Sequence, residues 1–555
     1  MQGEIFLNYA KNRSVVLFSI STTLFFLIIG LYVLQSGHPH EDAYILYIYS
    51  EMLAENGVIS YFSGGEPSEG ATDFLWMLFI SVLNMLGIPS GYGSLILNAA
   101  GVFLIAYLTF RVTSFFGNSF MLNVAISAFI PLYITSQAAY AGFSVALYSA
   151  MIALLFVISI TVKGRNVVFV SLISLALALF RPDGAIIGIF FCFIFFYFTN
   201  KEERKIHLRG VLICAVIGIA YFIWRWNYFG HFLPLPLIVK SQSDNFLPGL
   251  SPNFHWATRS AIVISLAALA LFSISKYRNR ALAMGIPVLL YFLAIMFAVQ
   301  SQNVSYRFQA PMAAILLVSA AAGLQYIIVQ SQQWNAAIRF SVVSTLIIAC
   351  SFQTLYFARQ TYGLVRYLTN DDYINFFPYH LAPFVSSDTV LALTEAGRFA
   401  YWLPGKKYDL VGLNTARTAI EGASKNYLES LEPDLIFFHH AGTLPSINCT
   451  NDRPYCEINT SRFREIVVSD DTLLSLASAN RVRLAPAAIA EYLTTTEVRY
   501  QIFAVRYGST HSHLYALRED GSISKDSFLT SLDLSYLPEG QLSYSEMTLG
   551  NSINR

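Results

Sequence analysis

The sequence predicts a polytopic α-helical membrane protein with a C-terminal soluble mixed α/β domain, and three observations carry that prediction. The 555 residues are 55% hydrophobic and only 12% charged, with a mean hydropathy of +0.51. A soluble chain carries about twice that share of charge. Apolar runs of membrane-crossing length recur from Val15 to Ala358, whereas the chain beyond residue 360 is polar, with short alternating runs. The net charge of +1 lacks the basic excess of a nucleic-acid-binding protein.

The first run, Val15 to Leu34, is preceded by Lys11 and Arg13, which place the N-terminus in the cytoplasm. It has no small-residue cleavage site and further spans follow, so it reads as a retained anchor. No Lys or Arg occurs between Arg13 and Arg111. The acidic loop His38-Pro39-His40-Glu41-Asp42-Ala43-Tyr44 therefore emerges on the outer face. Residues 73–88 are apolar but short, and read as a juxtamembrane or re-entrant helix within an outer loop, 36–93. Spans are predicted at 94–115, 119–137, 143–162, 166–180, 184–199, 209–227, 256–275, 280–299, 308–329 and 337–358. This puts the Lys/Arg clusters at 163–165, 201–209, 276–280 and 330–339 inside. With the first run the total is about 11 spans, an odd number, so the division is a membrane domain, 1–359, and an exported domain, 360–555.

Within the tail, Asp388 to Leu393, Asp434 to Phe438 and Val498 to Val505 have the pattern of strands. Cys449 and Cys456 are close together in a polar loop of this exported part, where an oxidising compartment favours a disulfide. Cys192, Cys214 and Cys350 lie in apolar spans and read as packing residues.

The chemistry-bearing motifs begin at the acidic loop. Glu41-Asp42-Ala43-Tyr44-Ile45 is followed by Asn56-Gly57 and then by Gly65-Glu66-Pro67-Ser68-Glu69-Gly70-Ala71-Thr72-Asp73-Phe74-Leu75-Trp76. Over about 36 residues this resembles the first-loop signature of GT-C glycosyltransferases, in the branch of the mycobacterial terminal arabinofuranosyltransferases. Four further segments resemble that branch in order: Arg181-Pro182-Asp183-Gly184, then Trp224-Arg225 through Pro234-Leu235-Pro236 to Lys240, then Tyr306-Arg307-Phe308 with Pro311, and Glu395-Ala396-Gly397 with Tyr408-Asp409-Leu410-Val411-Gly412-Leu413-Asn414. One departure stands out. Gly142-Phe143-Ser144-Val145 has a hydroxyl where relatives commonly carry a carboxylate.

The resemblance implies an inverting enzyme of a bacterial inner membrane. It would move one sugar, possibly arabinofuranose, from a polyprenyl-phosphate donor to an envelope glycan, lipid or pilin. An outward-facing transferase has no nucleotide sugars, which independently calls for a lipid-linked donor. Such a donor needs cations for its phosphate, and the exported candidates are Arg181, Arg225, Lys240 and Arg307. The acceptor hydroxyl needs a base, Asp42 by preference, with Glu41 beside it. Tyr44, Glu66, Glu69, Asp409 and Asn414 are the expected acceptor contacts. The acidic loop also has the chemistry to hold Mg2+ or Mn2+ through one or two carboxylates. Each assignment has a plainer rival: a helix cap for the acidic pair, an interfacial turn for His38 and His40, snorkelling for Arg181, a turn cap for Asp409. A flippase or transporter, a ligase for lipid-linked glycans, and a non-catalytic assembly factor are the other function classes.

Overall fold

A computed structural model describes residues 2–554 apart from 116–118, 136–137, 241–246, 274–277, 299, 301–302, 439–448, 450–453, 464–483 and 508–510. The regular elements described in the N-terminal part are helices joined by loops, the longest before α3 running over 57–73. Helix α1 (Gln2–Ser36) ends just before the acidic loop, and α2 (Ala43–Asn56) starts immediately after Asp42. The backbone N–H of Gly57, the glycine of the Asn-Gly turn, donates to Leu53 O and ends α2. Helix α3 (Phe74–Met85) has 12 residues. At 1.5 Å per residue it is about 18 Å long, well short of a hydrocarbon core.

The remaining membrane helices are α4 (Ser90–Thr113), α5 (Phe120–Thr135), α6 (Val145–Thr161), α7 (Val168–Phe180), α8 (Pro182–Tyr197), α9 (Lys201–Phe229), α12 (Ala261–Ser273), α13 (Arg278–Ala294), α14 (Ala310–Ser331) and α15 (Ala336–Leu368), with the short α10 (Leu235–Lys240) and α11 (Leu250–Arg259) between α9 and α12. Among the described residues six helices are long and apolar enough to cross a membrane: α1, α4, α9, α13 with the turn after it, α14 and α15. The other predicted spans correspond to shorter apolar helices, α5, α6, α7, α8 and α12. Proline and charge explain where several of them stop. Arg181 and Pro182 separate α7 from α8, because the ring of Pro182 suits only a first helical turn.

Helix α15 runs on to Leu368, and a six-stranded mixed sheet follows. Its order is β2-β1-β3-β6-β5-β4, formed by β1 (Val390–Leu393), β2 (Lys406–Asp409), β3 (Leu435–Phe438), β4 (Tyr455–Ile458), β5 (Tyr500–Tyr507) and β6 (His511–Arg518). Strand β1 pairs in parallel with β2 and β3, while β3-β6, β6-β5 and β5-β4 are antiparallel. Cys449 and Cys456 are joined by a disulfide with Cα atoms 5.4 Å apart.

The tail is seated on the membrane part through α2. A short helix, α17 (Arg398–Trp402), packs against it, and the C-terminal helix α22 (Tyr544–Asn554) closes over the turn that begins α4. There the Tyr544 hydroxyl accepts from Gly91 N at 2.8 Å, and Tyr92 OH donates to Ser545 Oγ at 2.8 Å. One continuous apolar core runs from Phe26 and Tyr133 in the helices to Phe377, Phe437 and Tyr515 in the tail.

Candidate active site

Asp42 precedes the first residue of α2 but makes no capping hydrogen bond of its own. Its Oδ2 instead accepts from Arg307 Nη2 at 2.9 Å, with both side chains about nine-tenths buried. The plain helix-cap reading is thus corrected for Asp42: its side chain makes no cap bond and pairs with Arg307. Arg307 reaches it from the entry to α14 through an unusual backbone. Ser305 and Tyr306 have φ of +46° and +59°, conformations that cost non-glycine residues of order 1 kcal/mol each. Buried amides hold them there, with Asn303 Nδ2 donating to Gln300 Oε1 and Gln309 Oε1 at 2.8 Å each. The guanidinium lies 4.0 Å over the Phe143 ring, and its Nε–H has no acceptor among the described residues.

Arg181 comes from the break between α7 and α8. Its Nε donates to Asp183 Oδ1 at 3.0 Å and lies 3.9 Å from Asp73 Oδ1, and its guanidinium covers the Tyr148 ring at 4.9 Å. Asp73 also accepts from the Ser144 hydroxyl. Asp42, Asp73, Arg181 and Arg307 line one cavity of about 110 Å³, closed by Gly70, Phe143, Pro236 and Leu413. All five sequence segments singled out above therefore contribute to the same wall. Asp73 escaped the sequence reading although it lies inside the signature, at a position where the pattern reads as a variable residue. The Ser144 departure now has a local explanation: a carboxylate is present, supplied by Asp73 from across the cavity.

Glu41 faces the tail. Its Oε1 accepts from Gly397 N at 2.8 Å. A Cβ on Gly397 would fall 2.0 Å from the Glu41 backbone oxygen, so only glycine permits this approach. Burial, together with the Asp42 and Glu395 carboxylates, pushes the Glu41 carboxyl well above the usual carboxylate range. Burial and the neighbouring carboxylates thus disfavour the charged form of Glu41. His38 and His40, expected in an interfacial turn, are in fact buried at 2% and 9% exposure. Burial pushes them down to about 3 and about 4, so both are neutral imidazoles. His40 Nδ1 accepts from Asp42 N at 3.2 Å and fixes the turn.

His40, Glu41 and Asp42 place one ligand atom each within 4.8 Å of one another. An imidazole nitrogen and two carboxylates fit a divalent cation in donor type, with Arg307 as the cation already facing Asp42.

Several expected contacts lie elsewhere. Arg225 is not a phosphate ligand here: its Nε donates to Glu69 Oε1 at 2.7 Å, its Nη2 meets Glu69 Oε2, and Nη1 donates to Phe232 O at 2.9 Å. Glu69 is consumed by the same buried pair, so it has no carboxylate to offer an acceptor. Asp409 is fully buried and caps its own turn, accepting from the backbone N–H groups of Val411 at 2.8 Å and Asn414 at 2.9 Å. Asn414 Oδ1 in turn accepts from Tyr49 OH at 3.1 Å. Tyr44 is buried between α2 and α17, facing Arg398, Tyr401 and Trp402 rather than the cavity. Glu66 is exposed at the loop tip. Lys240 ends α10, next to the cavity residue Pro236, and its side chain lies outside the described residues.

The Arg225–Glu69 assignment makes a stability prediction. Arg225→Met should lower stability by about 3–5 kcal/mol, because it strands a buried carboxylate. Adding Glu69→Leu should restore most of the loss, as read by thermal melting of the purified protein. A single variant that melts like wild type yet fails to bind donor would return Arg225 to the phosphate site.

A second prediction concerns pH. Burial pushes the Glu395 carboxyl up to about 7, against the opposing pull of Arg398, and its Oε1 has no hydrogen-bond partner among the described residues. Between about 4.5 and about 7 the folded chain keeps a proton that the unfolded chain releases, so this group's contribution declines as pH rises through that window. The melting temperature of Glu395→Gln should gain on wild type from pH 4.5 to 8. Parallel curves would remove Glu395 from the pH response.

Comparison with known proteins bears on the architecture. No family model matches the sequence, and no curated protein matches it. Among solved structures the chain is similar to ArnT from Cupriavidus metallidurans, with a TM-score of 0.51 at 12% identity, over 90% of this chain and 97% of that one. The overall fold is shared with that structure. The Archaeoglobus fulgidus oligosaccharyltransferase also aligns, with a TM-score of 0.46 at 10% identity, over 90% of this chain and 88% of that one. At 12% identity the likeness is one of architecture, and the chemistry rests on the cavity.

Proposed function

We propose that this protein is an inverting membrane glycosyltransferase that moves a single sugar from a polyprenyl-phosphate donor to a cell-envelope acceptor. The observation that carries this reading is the cavity in which Asp42 and Asp73 face Arg307 and Arg181, with a buried Arg307 N–H left unpaired. A phosphate entering there gains charge-assisted hydrogen bonds from two guanidiniums, and a hydroxyl beside Asp42 gains a base. The acceptor oxygen attacks the anomeric carbon while the bond to the lipid phosphate breaks on the opposite side. Asp42 takes the hydroxyl proton, Arg307 and Arg181 hold the departing phosphate, and the anomeric centre inverts.

Farther along α14, Leu317, Ala320, Ala321 and Leu324 line an apolar cleft of about 90 Å³ with Ile126, Phe129 and Leu266. Its lining suits a prenyl chain.

The first-loop signature favours an arabinofuranosyl or other monosaccharide lipid as donor, and an envelope glycan, lipid or pilin as acceptor. The protein is placed in a bacterial inner membrane, with the N-terminus cytoplasmic and the sheet domain exported. Mg2+ or Mn2+, where used, belongs at His40, Glu41 and Asp42.

Two measurements test the reading. Mass spectrometry of envelope glycans from cells with and without the gene should differ by one monosaccharide on a defined acceptor; identical glycans would defeat the enzymatic reading. Cysteine labelling should reach residues 36–93 and 360–555 from outside while 201–208 stays protected. Labelling of 89–93 only from the cytoplasm would overturn the re-entrant reading of 73–88, and the span parity would have to be rebuilt.

A further inference from the structure

The reaction cavity uses one face of α2, that of Asp42, Ile45 and Leu46. At 100° per residue, Glu51, Ala54 and Glu55 lie on the opposite face, and they line a second, larger cavity of about 300 Å³. Its other walls are Asn84, Met85 and Gly87 to Pro89 at the end of α3, Tyr401 and Trp402 at the end of α17, and Thr548 of the C-terminal helix. Nothing in the reaction chemistry above uses it.

The wall has a specific chemical character. Glu51 Oε1 accepts from Tyr401 OH at 2.6 Å and from Ser90 Oγ at 2.8 Å, while Asn84 Nδ2 donates to Ser90 Oγ at 3.1 Å. These bonds fix a carboxylate and an amide in place, and Glu55 adds an exposed carboxylate at the rim. Two aromatic rings stand beside them, Tyr401 and Trp402, with centroids 4.8 Å apart and planes at 80°. Trp402 is 9% exposed, and its indole Nε1–H has no acceptor among the described residues. A buried, unpaired donor next to fixed acceptors and an aromatic face is suited to a ligand dense in hydroxyl groups.

Among the described residues that line the wall there is no Lys or Arg. Lys407, which lies close enough to interact with Glu51, is buried on β2 and is not part of it. The two carboxylates on the wall disfavour phosphorylated or carboxylated sugars. Met85 and Leu86 at the rim are 62% and 71% exposed, so the opening adjoins an apolar surface.

We propose that this cavity is a second sugar-binding site, on the opposite face of α2 from the reaction, taking a non-anionic sugar unit of the acceptor. The word acceptor rests on the glycosyltransferase reading; the sugar-binding claim does not. The same hydroxyl chemistry can arrive on a free glycan chain or on a glycolipid headgroup. Helix α17 ties the site to the reaction centre, since the residue before it, Gly397, binds Glu41 and its last two residues line this cavity.

The test uses the full-length protein in nanodiscs and measures binding without transfer, so it stands apart from the catalytic hypothesis. The probes are maltotetraose in solution, glucosyl-diacylglycerol in the disc, and glucose 6-phosphate as the anionic control. Wild type should bind one or both of the first two and not the third. Maltotetraose alone identifies a free chain as the source, and the glycolipid alone identifies a headgroup.

Trp402→Phe removes the indole donor and Glu55→Gln removes a rim charge without disturbing the core. Each should weaken binding roughly tenfold, the scale of one hydrogen bond to a charged or buried group. Asp42→Asn should leave it unchanged. The proposal is overturned if neither sugar binds wild type, if both cavity variants bind normally, if glucose 6-phosphate binds equally well, or if Asp42→Asn abolishes binding.

Discussion

Asp42→Asn is expected to reduce sugar transfer about 10²–10⁴-fold, the usual cost of losing a general base, in a protein that still folds and still binds donor. Three features single out this carboxylate. It lies at the start of α2, where the helix N-terminus favours an anion. Arg307, at 2.9 Å, stabilises the charged form. Its neighbour Glu41 has the opposite bias, because burial and two nearby carboxylates disfavour its charged form. Within the pair, the carboxylate that opens to the cavity is therefore the one paired with Arg307. Asparagine keeps the shape and a carbonyl to accept from Arg307 but has no basicity, so melting should change far less than turnover. Glu41→Gln preserves the neutral form and should retain most activity. The opposite pattern, an active Asp42→Asn beside an inactive Glu41→Gln, would move the base to Glu41. Full activity in both would remove the acidic pair from the mechanism.

The parts of this site legible in the sequence are those that local chemistry determines. Hydropathy located the long helices because burial in lipid imposes a run length that no other environment demands. The break at Arg181-Pro182 and the helix starting after Asp42 were visible because proline and the acidic loop interrupt apolar runs. Strands β1, β3 and β5 had recognisable alternation, whereas β2, with Lys406 and Lys407 in its first half, and β6, with three polar residues at its start, did not. What the sequence concealed is pairing at long range. Arg225 and Glu69 are 156 positions apart, and nothing in either neighbourhood indicates that they neutralise each other. Read singly, each was a free charge and so a ligand candidate. The same blindness hid Asp73 behind Arg181 and left His38 and His40 looking like surface residues, since their burial depends on a tail that begins more than 300 positions later. Asp409 is the instructive converse. Its plainer reading as a turn cap was local, and the hydrogen bonds to Val411 and Asn414 follow it.

Arg307→Ala should produce the largest loss of donor affinity, about 2–5 kcal/mol for removing one partner of a buried charge-assisted contact, or roughly 30-fold and upward. Arg307 already holds Asp42 with one terminal nitrogen, and its remaining N–H groups, the unpaired Nε–H among them, are left for phosphate. A lysine can replace the charge but not the fork. Arg307→Lys should therefore recover part of the affinity while leaving turnover low, because a single ammonium cannot hold Asp42 and phosphate in fixed geometry at once. Arg181→Ala should cost less. Asp183 and Asp73 share its charge, so less of it is available to an incoming phosphate. Arg225→Met, which touches Glu69 and not the cavity, should lower stability and spare donor affinity in whatever fraction remains folded. Isothermal titration with a short-chain polyprenyl-phosphate sugar separates these cases. Wild-type affinity in both Arg307→Ala and Arg181→Ala would mean that the phosphate binds elsewhere, and the two arginines would then be structural partners of Asp42, Asp73 and Asp183.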